Sequence, residues 1–192
     1  MTSLAAAGGE HVFWITSRAA GVAALLASSA AVTLGLLIAG RLLKGRGPDL
    51  RVTHEALSLA TIVALLIHAL ALLGDSYMSP SLADISLPLV SSYARVWTTM
   101  GIVAGWGLIV LGLSYYARGR IGPARWRRLH RFTALAWLLG VVHGIGEGTD
   151  AGAAWFLLTT AAVALPALAL LAVRMAPRAP GVSQAPAGPH GA

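Results

Sequence analysis

Long apolar stretches separated by short polar segments dominate this 192-residue chain. A membrane-spanning helix needs about 20 mainly apolar residues, and five stretches reach that length. They are continuous and rich in Ala and Leu, without the alternation that marks a membrane β-strand. The pattern therefore predicts an all-α integral membrane protein, a bundle of about five transmembrane helices. The predicted spans cover residues 19–40, 54–73, 96–116, 126–145 and 154–173.

Composition supports a place in the bilayer. Hydrophobic residues make up 57% of the chain and charged residues only 11%, whereas soluble domains carry about 25% charged residues. The first apolar run is too long for a signal peptide and follows no clear cleavage site, so we predict a retained helix. The absence of cysteine excludes disulfides, thiolate-bound clusters and haem attached through C-x-x-C-H.

The basic residues are distributed unevenly between the two sides of the predicted bundle. Twelve of the 14 Lys and Arg residues fall on one side, in the first loop, the third loop and the C-terminal segment: Arg41, Lys44, Arg46, Arg51, Arg118, Arg120, Arg125, Arg127, Arg128, Arg131, Arg174 and Arg178. Cytoplasmic loops carry such an excess. We therefore predict an outside N-terminus and a cytoplasmic C-terminus in the cell membrane. The formal charge of +7 is then a topology signal, and no nucleic-acid partner is predicted.

The polar segments complete the predicted organisation. Residues 1–13 form an N-terminal tail, residues 14–175 the membrane domain, and residues 176–192 a tail rich in Pro, Gly and Ala that we predict to be disordered. Residues 74–95 are the longest outer loop. Pro80 and Pro88 bracket an amphipathic stretch within it, which predicts a short helix lying over the outer end of the bundle.

Four histidines form two pairs at nearly equal spacing. Fourteen positions separate His54 from His68 in the second span, and thirteen separate His130 from His143 in the fourth. An ionisable residue inside a membrane span is by default a functional-site hypothesis. Both spans run from inside to outside, so His54 and His130 share an inner level, and His68 and His143 an outer level about 20 Å away. Each level suits one iron between facing imidazoles, which predicts two bis-histidine haems in series with these four residues as the metal ligands.

The angular phase of the two helices differs. Fourteen residues return a regular helix to within about 40° of its starting direction, but thirteen leave it about 140° away. A straight fourth span would therefore not turn both rings toward the second span. We expect a strong tilt, a π-bulge or local unwinding near His130, beside the basic loop.

Roles without haem account less well for the four histidines. A single buried histidine is more often structural or a proton relay, but four at matched depths favour ligation. Zinc and copper sites need ligands clustered at one point, whereas these four histidines lie at two separate levels.

Gly140 and Gly144, beside His143, suit either helix packing or clearance for a flat macrocycle. For the pair of small residues Gly101 and Gly105 in the third span, we favour ordinary helix packing.

Three further residues are candidates for contact with the predicted haems. Trp137 lies about midway between His130 and His143, where it suits core packing better than an electronic bridge. Arg18 and Arg95 are the cations on the outer side. Each suits either an ion pair with a propionate of the outer haem or simple interfacial anchoring, and both roles remain open.

These segments together resemble the ferric reductase-like transmembrane domain family. That family includes the membrane parts of ferric reductases and NADPH oxidases, and the haem-binding subunit of the periplasmic methionine sulfoxide reductase system. The similarity covers about residues 12–175, and its most specific part is the spacing of the two histidine pairs. The similar motifs are WITSRAAG (14–21), HEALSLATIVALLIH (54–68), RIGPARWRRLHR (120–131) and VVHGIGEGTD (141–150).

The resemblance implies two b-type haems, the inner held by His54 and His130 and the outer by His68 and His143. It also implies electron flow from a cytoplasmic flavoprotein reductase, or from quinol, to an acceptor or partner oxidoreductase on the outer face. About 17 residues follow Met175, too few for flavin and nicotinamide domains. We therefore expect the membrane component of an oxidoreductase. A quinol-linked cytochrome b subunit, which places its histidine pairs similarly, and a non-redox haem sensor or scaffold are the alternatives.

Overall fold

The computed structural model describes residues 2–43, 47–148 and 150–176, with side chains described from His11 onward except at Gly47. Over these residues the chain is helical, with no strand, which confirms the predicted all-α class. The predicted disordered tail, residues 176–192, lies outside the described ranges except for its first residue, and Lys44 and Arg46 also lie outside them. The helices are α1 (Thr2–Gly40), α2 (Gly47–Leu73), α3 (Leu82–Ser86), α4 (Arg95–Leu113), α5 (Arg118–Ile121), α6 (Pro123–His130), α7 (Thr133–Glu147) and α8 (Ala154–Met175).

Four helices in the described ranges are long and apolar enough to cross a membrane, namely α1 from His11, α2 from Pro48, α4 and α8. The chain is therefore a multi-pass membrane protein, and four of the five predicted spans correspond to these helices. Helix α1 begins well before its predicted start at residue 19. No proline interrupts residues 2–18, so the helix continues beyond the apolar run and includes most of the predicted N-terminal tail.

The fourth predicted span is broken in two. Helix α6 ends at His130, and α7 begins at Thr133. In the turn between them the Phe132 amide donates to the Leu129 carbonyl at 3.0 Å, and the Ala134 amide to the Arg131 carbonyl at 3.3 Å. Bonds that reach back three residues wind the chain more tightly than an α-helix. An irregularity is thus present beside His130 as the thirteen-residue spacing required, but it is a tight turn rather than the predicted π-bulge or unwinding.

Helix α1 is the central element of the bundle. It packs along α2 as an antiparallel hairpin, and it also contacts α7 and α8. Helix α4 packs against α7 and only lightly against α2. A buried apolar cluster joins α1, α7 and α8 and contains Leu25, Trp137, Val141, Phe156, Ala164 and Ala167. The α1–α2 hairpin therefore faces the α4–α7 pair across a space that this core does not fill.

The predicted short helix in the outer loop is present as α3. Ser81 caps it, and its hydroxyl and backbone amide are bonded reciprocally with Asp84. The indole Nε1 of Trp106 donates to the Ser86 carbonyl at 2.9 Å. Trp106 lies eleven residues into α4, about 16 Å along its axis. Helix α3 therefore lies against the flank of α4.

Candidate functional site

The structure brings the four histidines together as the two predicted pairs. The ring centroids of His54 and His130 are 6.2 Å apart, and those of His68 and His143 are 6.5 Å apart. The ring planes are steeply inclined, at 85° in the first pair and 71° in the second. The break between α6 and α7 makes this possible, because it changes the rotation between His130 and His143.

These separations match the geometry of two imidazoles on opposite sides of one metal ion. A metal–imidazole bond of about 2 Å on each side, with about 1.1 Å from each nitrogen to its ring centroid, places the centroids about 6.2 Å apart. The side chains therefore fit a metal ion that would be held between two imidazoles.

Each pair lines its own cavity. The outer cavity, of about 440 Å³, is lined by His68 and His143 together with residues of α1, α3, α4, α7 and α8. The inner cavity, of about 470 Å³, is lined by His54 and His130 and by basic side chains. Both volumes fall in the range of cofactor sites, about 300–1,000 Å³. The basic residues of the inner lining are Arg127, Arg131 and Arg174.

Backbone carbonyls orient three of the imidazoles through their Nδ1 atoms. The partners of His54, His68 and His143 lie on neighbouring helices at 2.8, 2.8 and 3.0 Å, and are the carbonyls of Ala31, Ser17 and Trp97. Nδ1 of His130 lies 3.4 Å from the Thr133 hydroxyl. A carbonyl can only accept, so in the first three histidines it fixes the proton on Nδ1 and leaves Nε2 free to bind a metal.

A carboxylate adds to the environment of the outer pair. Glu147 Oε2 lies 3.0 Å from Nδ1 of His143, one helical turn away on α7. The other carboxylate oxygen, Oε1, accepts a hydrogen bond of 2.7 Å from the Thr98 hydroxyl. Glu147 therefore links α7 to α4 beside the ring that His143 presents to the outer cavity.

Aromatic side chains surround His130 at the end of α6. Trp126 stacks on its ring, with centroids 5.1 Å apart and planes at 26°. Tyr115 meets Trp126 edge-on at 5.9 Å, and the Arg118 guanidinium lies 3.9 Å from the Tyr115 ring centroid. His130 is the last residue of α6, and the aromatic stack restricts the orientation of its ring there.

The two outer arginines occupy different positions. Arg18 lines the outer cavity, but its guanidinium forms a bidentate ion pair with the carboxylate of Asp150, a residue in the segment that follows α7. Arg95 lies outside the lining of that cavity, and its Nε donates to the Ser91 carbonyl at 3.4 Å. Of the two, only Arg18 is thus placed beside the outer histidines, and its charge already has a partner in the chain.

Trp137 is buried at 1% exposure, contributes to the apolar cluster and also lines the outer cavity. Its position therefore agrees with the core-packing role that the sequence favoured. Ser28 and Leu108 line both cavities, so the same region of the bundle forms the partition between them.

Two glycines at the histidine rings were missed from the sequence. Gly21 and Gly35 on α1 lie against the rings of His68 and His54. Their spacing of fourteen, identical to that of His54 and His68, was the available signal. Gly101 lies against the ring of His143, within the contact between α4 and α7, so it takes part in helix packing as predicted and also touches the candidate site.

Gly140 and Gly144 combine the two roles that the sequence left open. Both line the outer cavity. A Cβ on Gly140 would lie 3.6 Å from Cβ of Ala104, and a Cβ on Gly144 would contact Leu25 and Phe156. They therefore allow close helix packing at the wall of the outer cavity.

Comparison with known proteins gives one match. The family model described as "Ferric reductase like transmembrane component" matches residues 20–141, more than half of the chain. The matched segment includes His54, His68 and His130 and ends two residues before His143. No curated protein and no solved structure matches the chain.

Proposed function

This chain belongs to the ferric reductase-like transmembrane family, and from that membership we propose that it carries electrons across the cytoplasmic membrane through two b-type haems. The family indicates transmembrane electron transfer, and its membrane domains generally bind haem. The number of haems, their ligands and the direction of electron flow are the specific parts of this proposal.

The observation that carries the proposal is the arrangement of the four imidazoles. His54 and His130 hold the inner haem, and His68 and His143 the outer. Support comes from the centroid separations of 6.2 and 6.5 Å and from the bonds of Nδ1 to backbone carbonyls. When bound, haem supplies an iron that alternates between ferric and ferrous states, at a potential tuned by its axial ligands.

The chain's own residues determine how such a group works. A metal held between two imidazoles would have no position open for another ligand. An acceptor is therefore reduced at the outer surface, or on a partner oxidoreductase docked there. On the inner side, Arg127, Arg131 and Arg174 line the cavity and offer cationic partners for haem carboxylates. The donor is a cytoplasmic flavoprotein reductase or quinol.

Haem stoichiometry tests the proposal. The protein, expressed with haem supply and purified in detergent, should give a b-type reduced-minus-oxidised spectrum and two haems per chain. Replacing any one of the four histidines by alanine should remove one haem. His11→Ala is the matched control, because His11 is exposed on α1 away from both cavities, and it should retain two. A colourless wild-type protein would refute the proposal.

Electron transfer itself needs a second measurement. In inside-out vesicles supplied with a flavin reductase and NADPH, or with quinol, both haems should become reduced. An impermeant oxidant enclosed in the lumen should then reoxidise them in the wild-type protein but not in His68→Ala. Haems that stay oxidised with every donor would instead support a haem sensor or scaffold.

A further inference from the structure

We infer that Gly21, Gly35 and Gly101 are positioning residues, each of which uncovers a helical carbonyl so that an axial histidine can bond to it. The inference rests on the proposed haem function and deepens it, because it assigns a role to residues that do not touch the iron. It concerns how three of the four imidazoles acquire their orientation.

The glycines stand in a constant register with the carbonyls that hold the histidines. Ser17 accepts from His68, and Gly21 is four residues later. Ala31 accepts from His54, with Gly35 four residues later, and Trp97 accepts from His143, with Gly101 four residues later. The relationship occurs twice on α1 and once on α4, and therefore does not depend on one local sequence.

Helix geometry explains the register. A helical carbonyl already accepts the amide four residues ahead, but its oxygen has a second lone pair. The Cα–Cβ bond tilts toward the helix N-terminus, so the side chain four residues ahead leans over that carbonyl. Glycine in that position removes the obstruction. An imidazole from a neighbouring helix can then approach the oxygen closely.

The contact distances agree with this explanation. An ideal Cβ on Gly101 would lie 2.6 Å from Cε1 and 2.7 Å from Nδ1 of His143. On Gly21 it would lie 3.0 Å from Nδ1 of His68, and on Gly35 it would lie 3.1 Å from Cε1 of His54. Favourable carbon contacts are about 3.5–4.0 Å. Any side chain at these positions must displace the ring, most strongly at Gly101.

The fourth imidazole, His130, has no glycine of this kind. Its Nδ1 lies 3.4 Å from the hydroxyl of Thr133, three residues ahead on the same segment of the chain. The other three rings reach across to a carbonyl of a neighbouring helix. The inference therefore concerns only the three histidines whose partner belongs to another helix.

The bond to the carbonyl also has an electronic consequence. A histidine ligand that donates its second N–H to a carbonyl has a fixed tautomer and increased basicity. A more basic axial ligand favours ferric over ferrous iron and lowers the reduction potential. Displacement of the ring should therefore raise the potential of one haem, or release it, and leave the haem at the other level unchanged.

Single alanine substitutions test the inference, because alanine is the better helix former. Gly101→Ala and Gly21→Ala should alter the outer haem, the former more strongly, and Gly35→Ala should alter the inner haem mildly. Gly119→Ala is the control, because Gly119 lies in α5 outside the lining of both cavities and has no atom within 4 Å of its Cβ. Haem content, redox titration and ferric EPR are measured for each variant. Single-haem variants His54→Ala and His68→Ala assign the signals to levels.

The outcomes separate this inference from the proposed function. A selective loss, or a raised potential, at the expected level supports the inference, and the unchanged haem shows that the protein is folded. Wild-type potentials and spectra in Gly101→Ala and Gly21→Ala would overturn it, as would equal loss of both haems, since positioning acts on one level. A wild-type protein without haem would instead refute the proposed function.

Discussion

The indole Nε1 of Trp137 donates a hydrogen bond of 2.9 Å to the Ser29 hydroxyl, and both side chains are almost completely buried. Ser29 in turn donates to the Leu25 carbonyl at 2.7 Å. The pair connects α1 to α7 at the partition between the two cavities. This buried hydrogen bond therefore fixes the position of α1 relative to α7 where the two cavities meet.

Ser29→Ala should therefore destabilise the protein by about 1–3 kcal/mol, because the indole N–H loses its acceptor without gaining access to water. Thermal unfolding in detergent measures the effect. In a Trp137→Phe background the same substitution should have a much smaller effect, since the donor is already absent. Equal effects of Ser29→Ala in both backgrounds would contradict the importance of this bond.

The ion pair between Arg18 and Asp150 is expected to fasten the outer end of α1 to the segment beyond α7. Its side chains are 35% and 10% exposed, so water screens the pair in part, and Asp150→Asn should cost about 1 kcal/mol. Arg18→Gln should have a similar effect, and the double variant should be little worse than either single variant. Loss of the outer haem in Arg18→Gln but not in Asp150→Asn would show that the guanidinium binds a haem carboxylate instead.

The steep inclination of the paired rings predicts a spectroscopic signature. The two ring planes of each pair are inclined at 85° and 71°. When two imidazole ligands are nearly perpendicular, they affect the two π-type orbitals of the iron almost equally, and these orbitals stay close in energy. The ferric haems should therefore give strongly anisotropic low-spin EPR signals at low temperature. The rhombic spectrum typical of parallel axial rings, if found for both haems, would contradict the ring orientations.

Membrane orientation can be tested because the chain has no cysteine of its own. Tyr77→Cys places a thiol at a position 95% exposed in the outer loop. Gly119→Cys places one in α5, where no atom lies within 4 Å of the new Cβ. An impermeant maleimide should label the Tyr77→Cys variant in intact spheroplasts and the Gly119→Cys variant only after permeabilisation. The reverse pattern would invert the predicted topology and the direction of electron flow.

The histidine pairs show how far sequence reasoning reaches for this site. Spacing along two co-directional helices predicted both partnerships, because depth in a membrane follows from residue number along a helix. The same arithmetic required an irregularity near His130. Its form, a tight turn at Arg131 and Phe132, depends on how the chain packs against α4 and was not predictable.

The pairing of Arg18 illustrates the opposite case. Its partner Asp150 is 132 residues away in sequence, and no local pattern connects them. From the sequence, Arg18 could either pair with a haem propionate or anchor the helix at the membrane interface. In the structure it pairs with the carboxylate of Asp150, a partner that neither alternative included. Long-range ion pairs depend on the mutual rotation of helices, which hydropathy does not report.

The sequence by itself determined the membrane class, four of the five spans and the two levels of histidines, since each follows from length, hydropathy and spacing within one segment. Tertiary structure alone decided the position of α3, the carbonyl partners of the imidazoles and the glycines that uncover those carbonyls. These are contacts between helices, in which a shift of one residue or a modest rotation exchanges every partner. Local periodicity therefore identified which residues share a level, and only packing decided what each ring touches.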